Sequence, residues 1–146
     1  MRALGIDLGS KRIGVATSDR SGTIATPLVV LLRSGTRAQD HKSIAALVVE
    51  NEAECVVVGM PLSMSGRSGE AAKLAAIEVQ QMTSVIGVPV YTYDERLTTV
   101  TADNILIEQN MSAQDRRKVI DKVAAAVILQ AWLDHRANTQ GGHRDD

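Results

Sequence analysis

Three apolar runs follow one another between Arg2 and Leu32, and the turns between them are too short for a helix to cross over. The runs are Arg2–Leu8, Ile13–Ser18 and Thr23–Leu32, joined by Gly9-Ser10-Lys11-Arg12 and by a turn at Arg20-Ser21-Gly22. A parallel neighbour needs a connection of a dozen residues or more, so these runs can pair only as an antiparallel meander. Pro27 lies inside the third run, where it removes a ladder donor, and this assigns that run to a sheet edge.

Beyond Leu32 the pattern changes. Gln39 to Asn51 carries Ile44, Leu47 and Val48 at helical spacing. Cys55 to Gly59 is a continuous apolar run, as expected of a strand covered on both faces. The loop MPLSMSGRSGE leads to an amphipathic helix over Glu70–Val85, and Gly87-Val88-Pro89 launches a fifth strand, Val90–Tyr93. Thr98 or Thr99 can cap a helix running to about Gln109. Ser112 with Asp115 resembles a weaker capping box. A last helix is expected from Lys118 or Asp121 to Arg136, followed by a polar, Gly-rich tail. The order βββαβαβα predicts an α/β fold. Its sheet is mixed and five-stranded, three strands antiparallel and then two parallel, with helices on both faces and right-handed crossovers. One domain over residues 1–137 is expected, with a disordered tail over 138–146.

Composition narrows the function. The 146 residues are 45% hydrophobic and 23% charged, ordinary for a globular chain. There is no Phe, one Trp and two Tyr, which leaves little aromatic surface for stacking a run of bases. The net charge of −1 is not that of a protein that binds nucleic acid by charge alone. No apolar run is long enough to span a bilayer, and the N-terminus lacks the regions of a signal peptide, so a cytoplasmic protein is expected. The single Cys55 excludes an internal disulfide and reads as a buried thiol.

One residue breaks the pattern: Asp7 is a carboxylate inside the first apolar strand. A buried charge needs a partner, and an arginine or a metal ion would serve. Asp94 and Glu95 end the fifth strand, where ligands of open α/β sheets gather. Asp121 opens the last helix, on the face shared by Ala124, Ala125, Ile128 and Trp132. Each of these has an ordinary reading on its own, as a solvated strand end or a helix-start acid. Carboxylates from strand one, the end of strand five and the last helix can then meet on one side of the sheet. An all-oxygen cluster suits Mg²⁺ or Mn²⁺, and a pair of such ions suits phosphodiester cleavage. Lys11 and Arg12 in the first turn, Arg33 and Arg37 in the next connection, and Arg96, Arg116, Arg117 and Lys118 are candidate phosphate contacts. So are Arg67 and Ser68, in a Gly/Ser loop that opens a helix.

The segments GIDLGSKRIGVA, VVVGMPLSMSGRSG, YTYDERLTT and VIDKVAAAVILQAWL, in this order and spacing, resemble the YqgF (RuvX) family over nearly the whole chain. The resemblance implies a ribonuclease H-like fold and a nuclease linked to Holliday junction resolution and to maturation of the 5′ end of pre-16S rRNA. It implies Asp7, Glu95 and Asp121 as metal-binding, catalytic acids. Glu95 is taken over its neighbour Asp94 because its longer side chain reaches further back toward strand one. The implied partner is structured nucleic acid, as a DNA junction or a precursor rRNA, with no membrane and with a monomer or homodimer as the assembly. Two other readings stand beside it. One is a non-catalytic RNA-binding assembly factor. The other is a single actin-like nucleotide-binding domain, because the DLGS turn resembles the phosphate hairpin of those ATPases.

Overall fold

The computed structural model describes residues 1–61, 69–95 and 123–137. The expected helix from Thr98 or Thr99, the weaker capping box and the tail over 138–146 lie outside them.

Five strands form one sheet: β1 (Ala3–Leu8), β2 (Arg12–Ser18), β3 (Ala25–Leu32), β4 (Cys55–Met60) and β5 (Val90–Asp94), in the order β3-β2-β1-β4-β5. β1, β2 and β3 pair antiparallel, and β4 pairs parallel with both β1 and β5. The expected meander and parallel pair are both present. β1 and β2 are joined by a two-residue turn, Ser10-Lys11, closed by the Gly9 amide donating to the Arg12 carbonyl at 2.9 Å. β3 is the sheet edge, as Pro27 requires, and Pro27 pairs with Ala16 where the β2–β3 register shifts.

Helices cover both faces. α1 (Arg37–Glu50) and α2 (Glu70–Val85) lie on one face; α3 (residues 123–137) lies on the other. The period of two in each strand sorts the side chains between them. Leu4 and Ile6 of β1, Ile13 and Val15 of β2, and Val56 and Val58 of β4 pack with Ile44, Val48, Met82 and Ile86. The alternate residues Ala3, Ala16, Cys55 and Val57 pack with Ala125, Ile128, Leu129 and Leu133. The α1/α2 core is bulky and aliphatic, whereas the strands present small residues to α3. α3 therefore approaches the sheet closely. A Cβ on Gly5 would lie 2.7 Å from both the Ala125 carbonyl oxygen and Leu129 Cβ.

α1 starts earlier than the periodicity alone places it, because Thr36 caps it by accepting from the Gln39 amide. Cys55 is buried in the α3-side cluster, and burial pushes its thiol pKa up, as expected of a structural cysteine.

Candidate active site

Asp7 stands on the α3 face of β1, two residues beyond Gly5. Glycines surround it. Gly14 of β2 is directly opposite, and the next step past the Ile6–Val58 pair sets Gly59 of β4 alongside. Glu95 follows β5 and reaches over Gly59. A Cβ there would lie 2.9 Å from Glu95 Cγ and 3.1 Å from its Oε1, and would run into Ile128 Cδ1. The bare backbone of Gly59 thus opens the path by which Glu95 crosses β4 to reach Asp7.

The two carboxyls are hydrogen-bonded. Asp7 is pushed up from 3.8 to about 8, first by burial, then by the hydrogen bond and the like charge of Glu95. A hydrogen bond between two carboxyl groups needs one proton between them, so one acid of the pair stays neutral at ordinary pH. The neighbour that the described residues give Asp7 is therefore a second carboxyl rather than an arginine.

Alternation explains why Glu95 and not Asp94 is the partner. Tyr93 packs in the α3-side cluster, so Asp94 falls on the opposite face and Glu95 returns to that of Asp7. Side-chain length, the reason offered by the sequence, is secondary to this parity.

Asp121, Arg67, Ser68 and Arg96 lie outside the described residues, as do Arg116, Arg117 and Lys118. Asp121 precedes Ala125, which touches β1 at Gly5, by four positions in the sequence. Lys11 is exposed on the β1–β2 turn, and Arg12 is half-buried at the start of β2. Both sit just past the strand end that carries Asp7. Among the described residues, no three metal-ligating side chains converge.

Arg33 is not available for a phosphate. Its Nη1 and Nη2 donate to Glu78 Oε2 and Oε1 at 2.6 and 3.0 Å, and its Nε donates to the Gly9 carbonyl at 2.9 Å. His41 Nε2 lies 2.9 Å from Glu78 Oε2, and Asp40 accepts from the Ser34 amide at 2.9 Å. Burial alone would raise Glu78, but Arg33 and His41 outweigh it and hold the carboxyl below its usual 4.5. This network ties α1, α2 and β3 to the turn after β1, so it fixes the ground on which Asp7, Lys11 and Arg12 stand. Sequence reasoning missed it. A visible signal was the polar pair Asp40-His41 at the start of an otherwise amphipathic helix.

Comparison with known proteins gives the family. The family model described as "RuvX: Holliday junction resolvase" matches residues 1–135. The chain belongs to the RuvX family. A relative from Rhodococcus opacus (strain B4), named "Putative pre-16S rRNA nuclease", is 46% identical over 142 residues, covering 94% of this chain and 80% of the relative. One of the same name from Anaeromyxobacter sp. (strain Fw109-5) is 47% identical over 136 residues, covering 93% and 98%. Among solved structures, Thermus thermophilus RuvC in complex with a Holliday junction superposes with a TM-score of 0.60 at 19% identity, covering 95% of this chain and 97% of that one. At that identity the likeness establishes the fold, which is ribonuclease H-like.

Proposed function

We propose that this RuvX-family chain is a divalent-metal-dependent endonuclease that hydrolyses phosphodiester bonds in structured nucleic acid. The observation that carries the reading is the Asp7–Glu95 pair, an acid of β1 and the acid that follows β5, brought together over a bare glycine. Such a pair is unfavourable without a cation: it keeps a proton to about pH 8. Its donors are all oxygen, which suits Mg²⁺ or Mn²⁺. Asp7 and Glu95, with Asp121 as the third acid, would hold the ion. A divalent ion bound there supplies Lewis-acid stabilisation of the charge that builds on the phosphate oxygens. The chain's own contribution would be to gather the acids and release the shared proton on loading. Lys11 and Arg12, with Arg67, Ser68 and Arg96, would hold the substrate backbone by phosphate contacts that carry no sequence preference.

The names of the relatives favour a precursor of 16S rRNA as substrate; the family name favours a four-way DNA junction. Cleavage of both by the purified protein, with Mg²⁺ and with EDTA, is the deciding assay. We expect metal-dependent cleavage of one or both, and loss of at least 100-fold in rate for Asp7→Asn with the fold intact, because the metal site loses a charged ligand. RNA binding without cleavage at any metal concentration would instead support the assembly-factor reading. Unchanged turnover by a folded Asp7→Asn protein would remove Asp7 from the site.

A further inference from the structure

The chain has three aromatic residues in all, and they gather in one place. Tyr91 and Tyr93 alternate along β5 on the face that Glu95 continues. Trp132 of α3 stacks on Tyr91 with ring centroids 5.5 Å apart and planes 27° from parallel. The Arg136 guanidinium lies over the Trp132 ring at 5.3 Å. Tyr93 and Trp132 pack against the margin of the α3-side core, and the α1/α2 core contains no aromatic side chain. The cluster stays partly open: Tyr91 is 42% exposed, and Trp132 and Arg136 are half-buried.

We propose that Tyr91, Trp132 and Arg136 form a stacking platform for one unpaired nucleobase of the strand held at the carboxylate pair, an inference that rests on the nuclease reading above. One observation and two chemical arguments favour a base over a protein partner. First, the platform and the acids share one strand face. Tyr91 stands three residues before the end of β5, roughly 10 Å along the strand, and Glu95 follows that end, so a chain running along this edge of the sheet meets both. Second, an aromatic ring backed by a guanidinium joins π-stacking to positive charge, which matches a base attached to a phosphate. Third, stacking accepts any base, in keeping with phosphate contacts that read no sequence. Three aromatics are too few for an extended single-strand groove, but they suffice for one base.

Trp132 is the only tryptophan in the chain, so its emission reports on the platform directly. The experiment titrates the full chain, in Ca²⁺ to limit cleavage, with a short single-stranded RNA, the matching DNA, and the same RNA carrying abasic positions. We expect the intact strands to change Trp132 emission and the abasic strand to bind without doing so. Tyr91→Leu should weaken intact RNA about tenfold and leave the abasic strand and the salt slope unchanged. Tyr91→Phe should behave as the wild type. Arg136→Gln, with its fold checked by thermal melting, should weaken intact RNA and lower the salt slope. Equal affinity of wild type and Tyr91→Leu for intact RNA would overturn the platform while leaving the nuclease reading in place. The same equality with loss of a dimer in sedimentation would reassign the patch to contact between copies. A wild-type chain that binds no nucleic acid would overturn both readings.

Discussion

Asp7 carries its cost in its titration. An acid raised from 3.8 to about 8 in the folded chain holds a proton that the unfolded chain has already lost. Between those values the native state binds more protons than the unfolded state, so stability falls as pH rises. The penalty is absent below the unfolded pKa, grows through the interval, and is complete above about pH 8. Asparagine at this position cannot ionise and escapes it. In EDTA, Asp7→Asn should therefore melt higher than the wild type at pH 8, and the gap should shrink toward pH 5. Excess Mg²⁺ should narrow the gap from the other side, because a ligand bound only by the folded wild type stabilises it by mass action. Thermal melts over this pH range, with and without metal, measure both. A gap that does not vary with pH would mean that Asp7 is not the strained acid.

At the scale of elements, most of the architecture was legible because it is local. The meander follows from turn length, the two-sided strand from the run Cys55–Val58, and α1 and α2 from helical spacing. The start of α1 was less legible, because capping chemistry sets it, while its end falls at Asn51 as expected. α1 stops in a nested pair of bonds: the Glu52 amide donates to the Val49 carbonyl at 3.1 Å and the Ala53 amide to the Val48 carbonyl at 2.9 Å. Val48 and Ala53 also pack together in the core, completing the motif. This termination puts Glu52 at φ 54°, a position that glycine usually fills. A non-glycine residue there costs roughly 1–2 kcal/mol. Glu52→Gly should recover about 1 kcal/mol, raising the denaturant midpoint with an unchanged slope, and a lowered midpoint would contradict the cap assignment. The Arg33–Glu78 pair was illegible for the opposite reason. Its partners stand 45 positions apart, and no local pattern announces which of several arginines will be buried. The site itself was half legible: an acid in an apolar strand marks Asp7, whereas Glu95 is selected by the parity of β5 and by Gly59, which only the assembled sheet brings beside it.

Among the described residues the two faces of the sheet differ, and glycine marks the difference. On the α1/α2 side the strands present large aliphatics; on the α3 side Gly5 of β1 and Gly59 of β4 leave bare backbone where Ala125, Leu129 and Ile128 come closest. These two glycines do different things: Gly5 lets α3 settle on β1, and Gly59 leaves room for Glu95 to reach Asp7. The close approach at Gly5 is to a backbone carbonyl and to a Cβ, neither of which can swing away like the end of a long side chain. Gly5→Ala must therefore move the helix, and overpacking of this kind costs about 1–3 kcal/mol. Gly87 provides the comparison, since a Cβ there meets nothing within 4 Å and its backbone is not left-handed. Gly87→Ala should be neutral or slightly stabilising through the unfolded chain. Denaturant unfolding of the two variants isolates the cost of displacing α3 from the generic cost of adding a methyl group. Because Asp7 lies two residues further along the same face, Gly5→Ala should also lower the Mg²⁺-induced rise in melting temperature, whereas Gly87→Ala should not. Equal stability and equal metal response in the two variants would mean that the seat of α3 on β1 does not shape the acid site.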